Sequence, residues 1–145
     1  MIAIDTNLLV YAHRAALPEH RVARRALERA AAIQNGWGIS QACLAEFWSI
    51  VTHPAASRPS TAAEASAFLA SLVEDGGAQL WLPTPGFGER LLRLAADRNV
   101  QGPRIFDLQI ALTAFENGAH EIWTHDRCFV SLPGLPIRDP LTGRS

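Results

Sequence analysis

The 145-residue sequence contains no lysine, and all thirteen of its basic residues are arginine. This absence excludes a P-loop lysine, a Schiff-base amine and the lysine that phosphoaspartate enzymes place beside their nucleophile. The formal net charge of −1 also lacks the basic excess typical of a non-specific nucleic-acid binder. Any contact with nucleic acid must therefore be local.

Long apolar runs and cysteines are scarce as well. No run approaches the ~18 residues that cross a bilayer, and no basic segment precedes the first apolar residues, so neither a membrane span nor a secretory signal is expected. The two cysteines, Cys43 and Cys128, lie far apart and are expected to be reduced thiols in a cytoplasmic protein. An apolar content of 48% predicts a single globular domain over residues 1–145.

Short apolar segments alternate with longer helical patterns along the chain. Strands are predicted at 2–4, 37–40, 78–82 and 121–124, with a possible fifth at 135–138. Helices are predicted at 18–35, 41–53, 62–74, 88–99 and 106–117, and Thr61 with Glu64 forms a capping box before the third of them. This alternation predicts an α/β fold, a three-layer α/β/α sandwich around a parallel sheet of four or five strands.

Aspartate follows two of the predicted strands, in one case directly and in the other after one histidine. Asp5 comes after the first strand and Asp126 after the fourth. Because ligands of open parallel sheets bind at the carboxyl ends of the strands, two such aspartates are expected at one ligand-binding edge. The alternative for each is an ordinary helix N-cap.

Two further acids lie in apolar helical segments. Glu46 is the only carboxylate between residues 37 and 63, on a helix that is apolar on most sides, so its burial is expensive unless it is paired or bound to a cation. The alternative is a solvent-facing position shared with Gln41, Ser49 and His53. Asp107 lies in the first turn of an apolar helix, where capping explains it in part and its neighbours Phe106 and Leu108 indicate that it faces inward.

Four carboxylates at one edge would repel one another by several kcal/mol at an effective dielectric near 20. A divalent cation removes that cost, and oxygen ligands favour Mg²⁺ or Mn²⁺ over zinc. Magnesium held by few carboxylates typically meets substrate phosphates, which points to phosphodiester chemistry.

Four segments, IDTNLLVYA, QACLAEFW, FDLQIALTA and WTHDRCF, together resemble the PIN-domain ribonucleases. The resemblance is strongest to the VapC-type toxins of bacterial toxin–antitoxin pairs, and it extends through the late PGLPIRDP segment. It implies a PIN-like parallel sandwich that cuts RNA with Mg²⁺ or Mn²⁺. It also implies a homodimer that is inhibited by a small antitoxin protein.

The resemblance assigns the acids of the site to four positions, Asp5, Glu46, Asp107 and Asp126. It makes Asn7 the polar residue that supports the first acid, and Thr124 the hydroxyl before the last. Cys128 stands where the family commonly has a further aspartate, so the number of metal ions stays open. Arg127 is either a phosphate contact or an exposed surface arginine.

Three other functions are weighed against a ribonuclease. A phosphatase or phosphotransferase would use Asp5 as nucleophile, but the lack of lysine and the presence of Asn7, where many such enzymes have a second aspartate, argue against it. A non-catalytic binding module would use the acids only as caps. A zinc enzyme would draw on the five histidines and two cysteines, yet none has a spacing such as HxxxH or CxxC.

Overall fold

A five-stranded parallel sheet forms the centre of the molecule. The computed structural model describes residues 1–142. The strands, in chain order, are β1 (Ile2–Ile4), β2 (Trp37–Ser40), β3 (Gln79–Trp81), β4 (Glu121–Trp123) and β5 (Ile137–Arg138). Their spatial order is β3-β2-β1-β4-β5, and every neighbouring pair is parallel. The predicted fold class is confirmed, and the sheet includes the fifth strand.

Six helices flank this sheet in the described part of the chain. They are α1 (Thr6–His13), α2 (His20–Ala31), α3 (Gln41–Val51), α4 (Ala62–Glu74), α5 (Phe87–Asp97) and α6 (Arg104–Glu116). Four of the five predicted helices agree to within about two residues at each end, the usual uncertainty of helix ends. The predicted helix at 18–35 is shorter, because the chain already turns at Ala32 and Gly36 takes a positive φ of 81°. None of the helices within residues 1–142 has the length and apolar character to span a membrane.

The helix α1 is absent from the sequence-based prediction, which places no element between the first strand and residue 18. Asp5 caps its N-terminus with extended backbone angles (φ −81°, ψ 157°), and its side chain accepts the Thr6 N–H. Leu8, Leu9 and Ala12 are buried at helical spacing. The apolar residues after Asp5 are therefore the inner face of a short helix that packs mainly on α2 and α3.

The core lies where β1 crosses the middle of the sheet. All three residues of β1 and all four of β2 are buried, as continuous apolar strands of a covered parallel sheet should be. Gly38 in β2 is required by its neighbour on β3, because a Cβ at this position would lie 2.3 Å from the Trp81 ring. Close packing of β2 on β3 therefore depends on glycine at this point.

The register of the sheet determines which residues meet at its carboxyl edge. Ile4 of β1 pairs with Trp123 of β4, so Asp5 and Thr124 leave the sheet side by side. The Asp5 N–H continues the ladder with a 3.0 Å hydrogen bond to the Trp123 carbonyl. On the other side of β1, Ala3 pairs with Gly38, which brings the start of α3 to the same edge.

Candidate active site at the carboxyl edge of the sheet

Asp5 both caps a helix and presents a buried carboxyl group. Its Oδ1 accepts the Thr6 N–H at 2.7 Å, and its Oδ2 accepts the Thr124 hydroxyl at 2.7 Å. The residue is only 7% exposed. The two sequence interpretations, cap and inward-facing acid, therefore describe the same side chain.

Burial raises the pKa of Asp5 to about 6. The hydrogen bonds from Thr124 and Thr6 oppose this shift, and repulsion from Glu46 and Asp107 adds to it. Asp5 is therefore close enough to both of these acids for their charges to disfavour its ionised form.

Thr124 and Asn7 hold Asp5 through one hydrogen-bond network. The Thr124 Oγ1 that donates to Asp5 also accepts from Asn7 Nδ2 at 3.1 Å and from the Asp126 N–H at 3.0 Å. Asn7 Oδ1 accepts the His125 N–H at 3.3 Å. The network ties the start of α1 to the end of β4, and it fixes the orientation of the Asp5 carboxyl group.

Glu46 lies on α3, and the residue as a whole is exposed. Partial burial of its carboxyl group is the main cause that raises its pKa, and repulsion from Asp107 is the second. The Thr6 hydroxyl opposes the shift, although its buried oxygen makes no hydrogen bond of standard geometry within residues 1–142. Glu46 is thus solvent-accessible but coupled to Asp5 and Asp107.

Arg104, which the sequence analysis does not single out, joins the remaining two acids. Its Nη1 donates to Asp107 Oδ2 at 2.9 Å and to Asp126 Oδ2 at 2.8 Å. The Arg104 hydrogen bond is the main cause that lowers the pKa of Asp126. The sequence does contain a signal for Arg104, because it is a basic residue in the first turn of α6, three positions before Asp107. The helix dipole disfavours positive charge in the first turn.

Arg127 lies outside this set of side chains. It is exposed, and it makes no hydrogen bond or ion pair with any other residue in the range 1–142. Cys128 next to it is also exposed, and its N–H donates to Asp126 Oδ1 at 2.8 Å. Of the two arginines near Asp126, the structure therefore brings Arg104 into the site and leaves Arg127 at the surface.

A model of the PIN domain family matches residues 2–135. The chain belongs to the PIN domain family. Among curated relatives, the VapC ribonuclease Mb2897 of Mycobacterium bovis is 33% identical over 146 aligned residues, which cover 100% of this chain and 99% of that protein. These two findings confirm the resemblance drawn from the sequence.

Solved structures with this PIN domain fold are more distant in sequence. The sarcin-ricin loop cleaving toxin VapC20 of Mycobacterium tuberculosis has a TM-score of 0.67 at 16% identity, covering 89% of this chain and 92% of that one. VapBC2 of Rickettsia felis, solved with a DNA fragment from its promoter, has a TM-score of 0.62 at 19% identity, covering 95% and 98%. At these identities, the structures support the fold alone.

The acids of this PIN domain suit a divalent cation by charge and by ligand type. Glu46 and Asp107 both disfavour the charge on Asp5, and carboxylate oxygens are the ligands that Mg²⁺ and Mn²⁺ prefer. Among residues 1–142, no three His, Cys, Asp or Glu side chains converge closely enough to form a ready-made metal site. A bound ion would therefore have to draw other carboxylates toward Asp5, whose orientation is already fixed, and Arg104 already holds Asp107 and Asp126.

Proposed function

We propose that this PIN domain protein is a metal-dependent endoribonuclease and the toxin of a VapBC-type toxin–antitoxin pair. Its acidic residues are Asp5, Glu46, Asp107 and Asp126, supported by Asn7 and Thr124. The observation that carries the proposal is the linkage of three acids at one edge of the sheet: Thr124 joins the Asp5 carboxyl group to the Asp126 backbone, and Arg104 joins Asp126 to Asp107. These three acids come from three separate segments of the chain, and helix capping alone explains only Asp5.

The chain's own residues divide the work of phosphodiester hydrolysis. Mg²⁺ or Mn²⁺, when bound, supplies a water of lowered pKa and stabilises negative charge on the phosphate and the leaving oxygen. The carboxylates of Asp5, Glu46 and Asp107 would hold the ion. Thr124 and Asn7 keep the Asp5 carboxyl group in one orientation, so that little reorganisation is needed when the substrate arrives.

RNA is the proposed substrate, and a small antitoxin is the proposed partner. The support is the name of the Mycobacterium bovis relative, a VapC ribonuclease, together with the VapBC2 structure. A homodimer is proposed on the resemblance to VapC toxins. A short reading frame upstream of this one that codes for a DNA-binding protein would support the partner.

The test is incubation of the purified protein with structured RNAs in Mg²⁺ or Mn²⁺, with EDTA as the metal-free control. Cleavage is expected only with metal, and Asp5→Asn should abolish it. Asp97→Asn is the matched control, because Asp97 is an exposed aspartate at the end of α5. Cleavage by Asp5→Asn at the wild-type rate would show that the assignment is wrong.

A further inference from the structure

The arginine between Asp107 and Asp126 is part of the proposed site. Arg104 is the first residue of α6, and a single nitrogen, Nη1, donates to one carboxylate on its own helix and to another after β4. The three side chains are 41%, 18% and 37% exposed, in the order Arg104, Asp107, Asp126. One positive charge therefore bridges two of the four proposed acids.

Helix formation does not account for an arginine at this position. A positive charge in the first helical turn opposes the helix dipole and is unfavourable there. The arginine also precedes its acid by three residues, which is the weaker order for a helical pair. The two charge-assisted hydrogen bonds are the compensating interaction, so the role of Arg104 lies in its contacts with Asp107 and Asp126.

Only two of the four acids have a positively charged partner in the described part of the chain. Asp5 receives only neutral donors, the Thr6 N–H and the Thr124 hydroxyl, and neither Asp5 nor Glu46 forms an ion pair within residues 1–142. Asp107 and Asp126 share Arg104. The site thus has an uncompensated half, Asp5 and Glu46, and an arginine-compensated half.

Both carboxylate oxygens of Asp126 are already engaged. Oδ1 accepts the Cys128 N–H at 2.8 Å, and Oδ2 accepts Arg104 Nη1 at 2.8 Å. A metal ion at Asp126 would have to displace a permanently charged guanidinium, because arginine stays protonated in proteins. By contrast, an ion at Asp5 and Glu46 displaces no cation and relieves the repulsion between acids.

We propose that Arg104 takes the place of a second metal ion, so that the site binds one divalent cation, at Asp5 and Glu46 with Asp107 beside them. Asp126 then acts as a positioning residue that holds Arg104. The inference rests on the proposed metal-dependent function and specifies how many ions that function uses. It predicts that the charge of Arg104, and not its shape, sets the number of ions.

The test is the number of Mn²⁺ ions bound per chain, measured by isothermal titration calorimetry and by electron paramagnetic resonance of free Mn²⁺. Wild type should bind one ion. Arg104→Gln should bind two, because Asp107 and Asp126 lose their cation, and Arg104→Lys should return the number to one. Arg127→Gln is the matched control, since it removes a nearby exposed arginine without an ion pair, and it should bind one ion.

The possible outcomes separate this proposal from the proposed function. Two ions in wild type, or one ion in Arg104→Gln, would contradict the role of Arg104 and leave the ribonuclease assignment intact. No Mn²⁺ binding by wild type at millimolar concentration would overturn both. Circular dichroism melting of each variant in EDTA identifies any variant that fails to fold, in which case Arg104→Met replaces Arg104→Gln with the same expected count.

Discussion

An aspartate follows each of two strands at the carboxyl edge of the sheet, and the environments of the two carboxyl groups are opposite. Asp5, after β1, is buried, accepts hydrogen bonds from a backbone N–H and a hydroxyl, and has its pKa raised to about 6. Asp126, after β4, is partly exposed, accepts from Arg104, and has its pKa lowered. Asp5 therefore has no positively charged partner among the described residues, whereas Asp126, at the same edge of the sheet, has one.

The difference shows which acid most needs a cation. Burial without a positive partner disfavours the charged carboxylate, so an ion bound at Asp5 gains the most electrostatic free energy. At Asp126 the guanidinium already provides that stabilisation. Each of the following changes tests one side of this comparison.

The largest expected effect is on catalysis. Asp5→Asn should lower kcat/KM for RNA cleavage by at least about 100-fold, roughly 2.7 kcal/mol of transition-state stabilisation. Asp126→Asn should lower it by about 10-fold, because it releases Arg104 but leaves the uncompensated half intact. Rates on one defined RNA in Mg²⁺ measure both, and a greater loss in Asp126→Asn would reverse the comparison.

The next effect is the pH dependence of stability in EDTA. Because the folded-state pKa of Asp5 is raised, its favourable contribution is complete below about pH 4 and is lost as the pH rises through about 6. The expected loss is about 3 kcal/mol, and Asp5→Asn should remove it. Urea unfolding at pH 4 to 7.5 measures this difference between the two proteins.

Asp126→Asn is the control, because the Asp126 carboxyl group affects the pH dependence of stability with the opposite sign. The pKa of Asp126 is lower in the folded protein than in the unfolded chain. Its carboxylate therefore stabilises the protein at pH values above the unfolded-state pKa, and this stabilisation is lost as the pH falls through the folded-state pKa. Asp126→Asn should therefore alter the stability profile in the direction opposite to Asp5→Asn. Profiles that shift in the same direction in both variants would contradict the two environments described above.

A smaller effect is expected from the hydroxyl that orients Asp5. Thr124→Val removes one donor to Asp5 and an acceptor for Asn7 and Asp126, which should cost about 1–3 kcal/mol of unfolding free energy. Thr113→Val is the matched control. Thr113 is also 2% exposed, but its hydroxyl bonds only the Gln109 carbonyl of its own helix. Equal losses of unfolding free energy in the two variants would show that the Thr124 hydroxyl contributes no more than that of Thr113.

The smallest effect is expected at the arginine outside the site. Arg127→Gln should change the unfolding free energy by less than about 0.5 kcal/mol and leave RNA cleavage near the wild-type rate. A loss of cleavage with unchanged stability would show that Arg127 contacts the substrate. Urea unfolding and the same RNA assay measure the two quantities.

Parallel strands make the edge of the sheet predictable from sequence. Once strands at 2–4 and 121–124 are identified, the position of Asp5 near Asp126 follows from the fold class, whereas the sequence leaves open whether the sheet has four or five strands. The helix α1 was missed because its eight residues follow a strand with no loop between them. Its cap, Asp5, looks the same in sequence as a strand-end acid.

In the sequence, Arg104 is recognisable only as a basic residue in the first turn of α6, and local patterns do not reveal its role. One of its partners, Asp126, is 22 positions away along the chain and meets it only because α6 begins at the edge of the sheet where β4 ends. Glu46 illustrates the reverse case. The sequence singles out Glu46 by its isolation among apolar neighbours, but only the structure shows that a solvent-accessible side chain is also coupled to Asp5 and Asp107.

The central claim is that acids from separate segments form one anionic pocket that a divalent cation neutralises. Thermal melting of wild type and Asp5→Asn in EDTA and in millimolar Mn²⁺ tests it most directly. Binding at 100 times the dissociation constant should stabilise wild type by about 2.7 kcal/mol and raise its melting midpoint, while Asp5→Asn should show little or no rise. An unchanged midpoint in wild type, or an equal rise in both proteins, would contradict the claim.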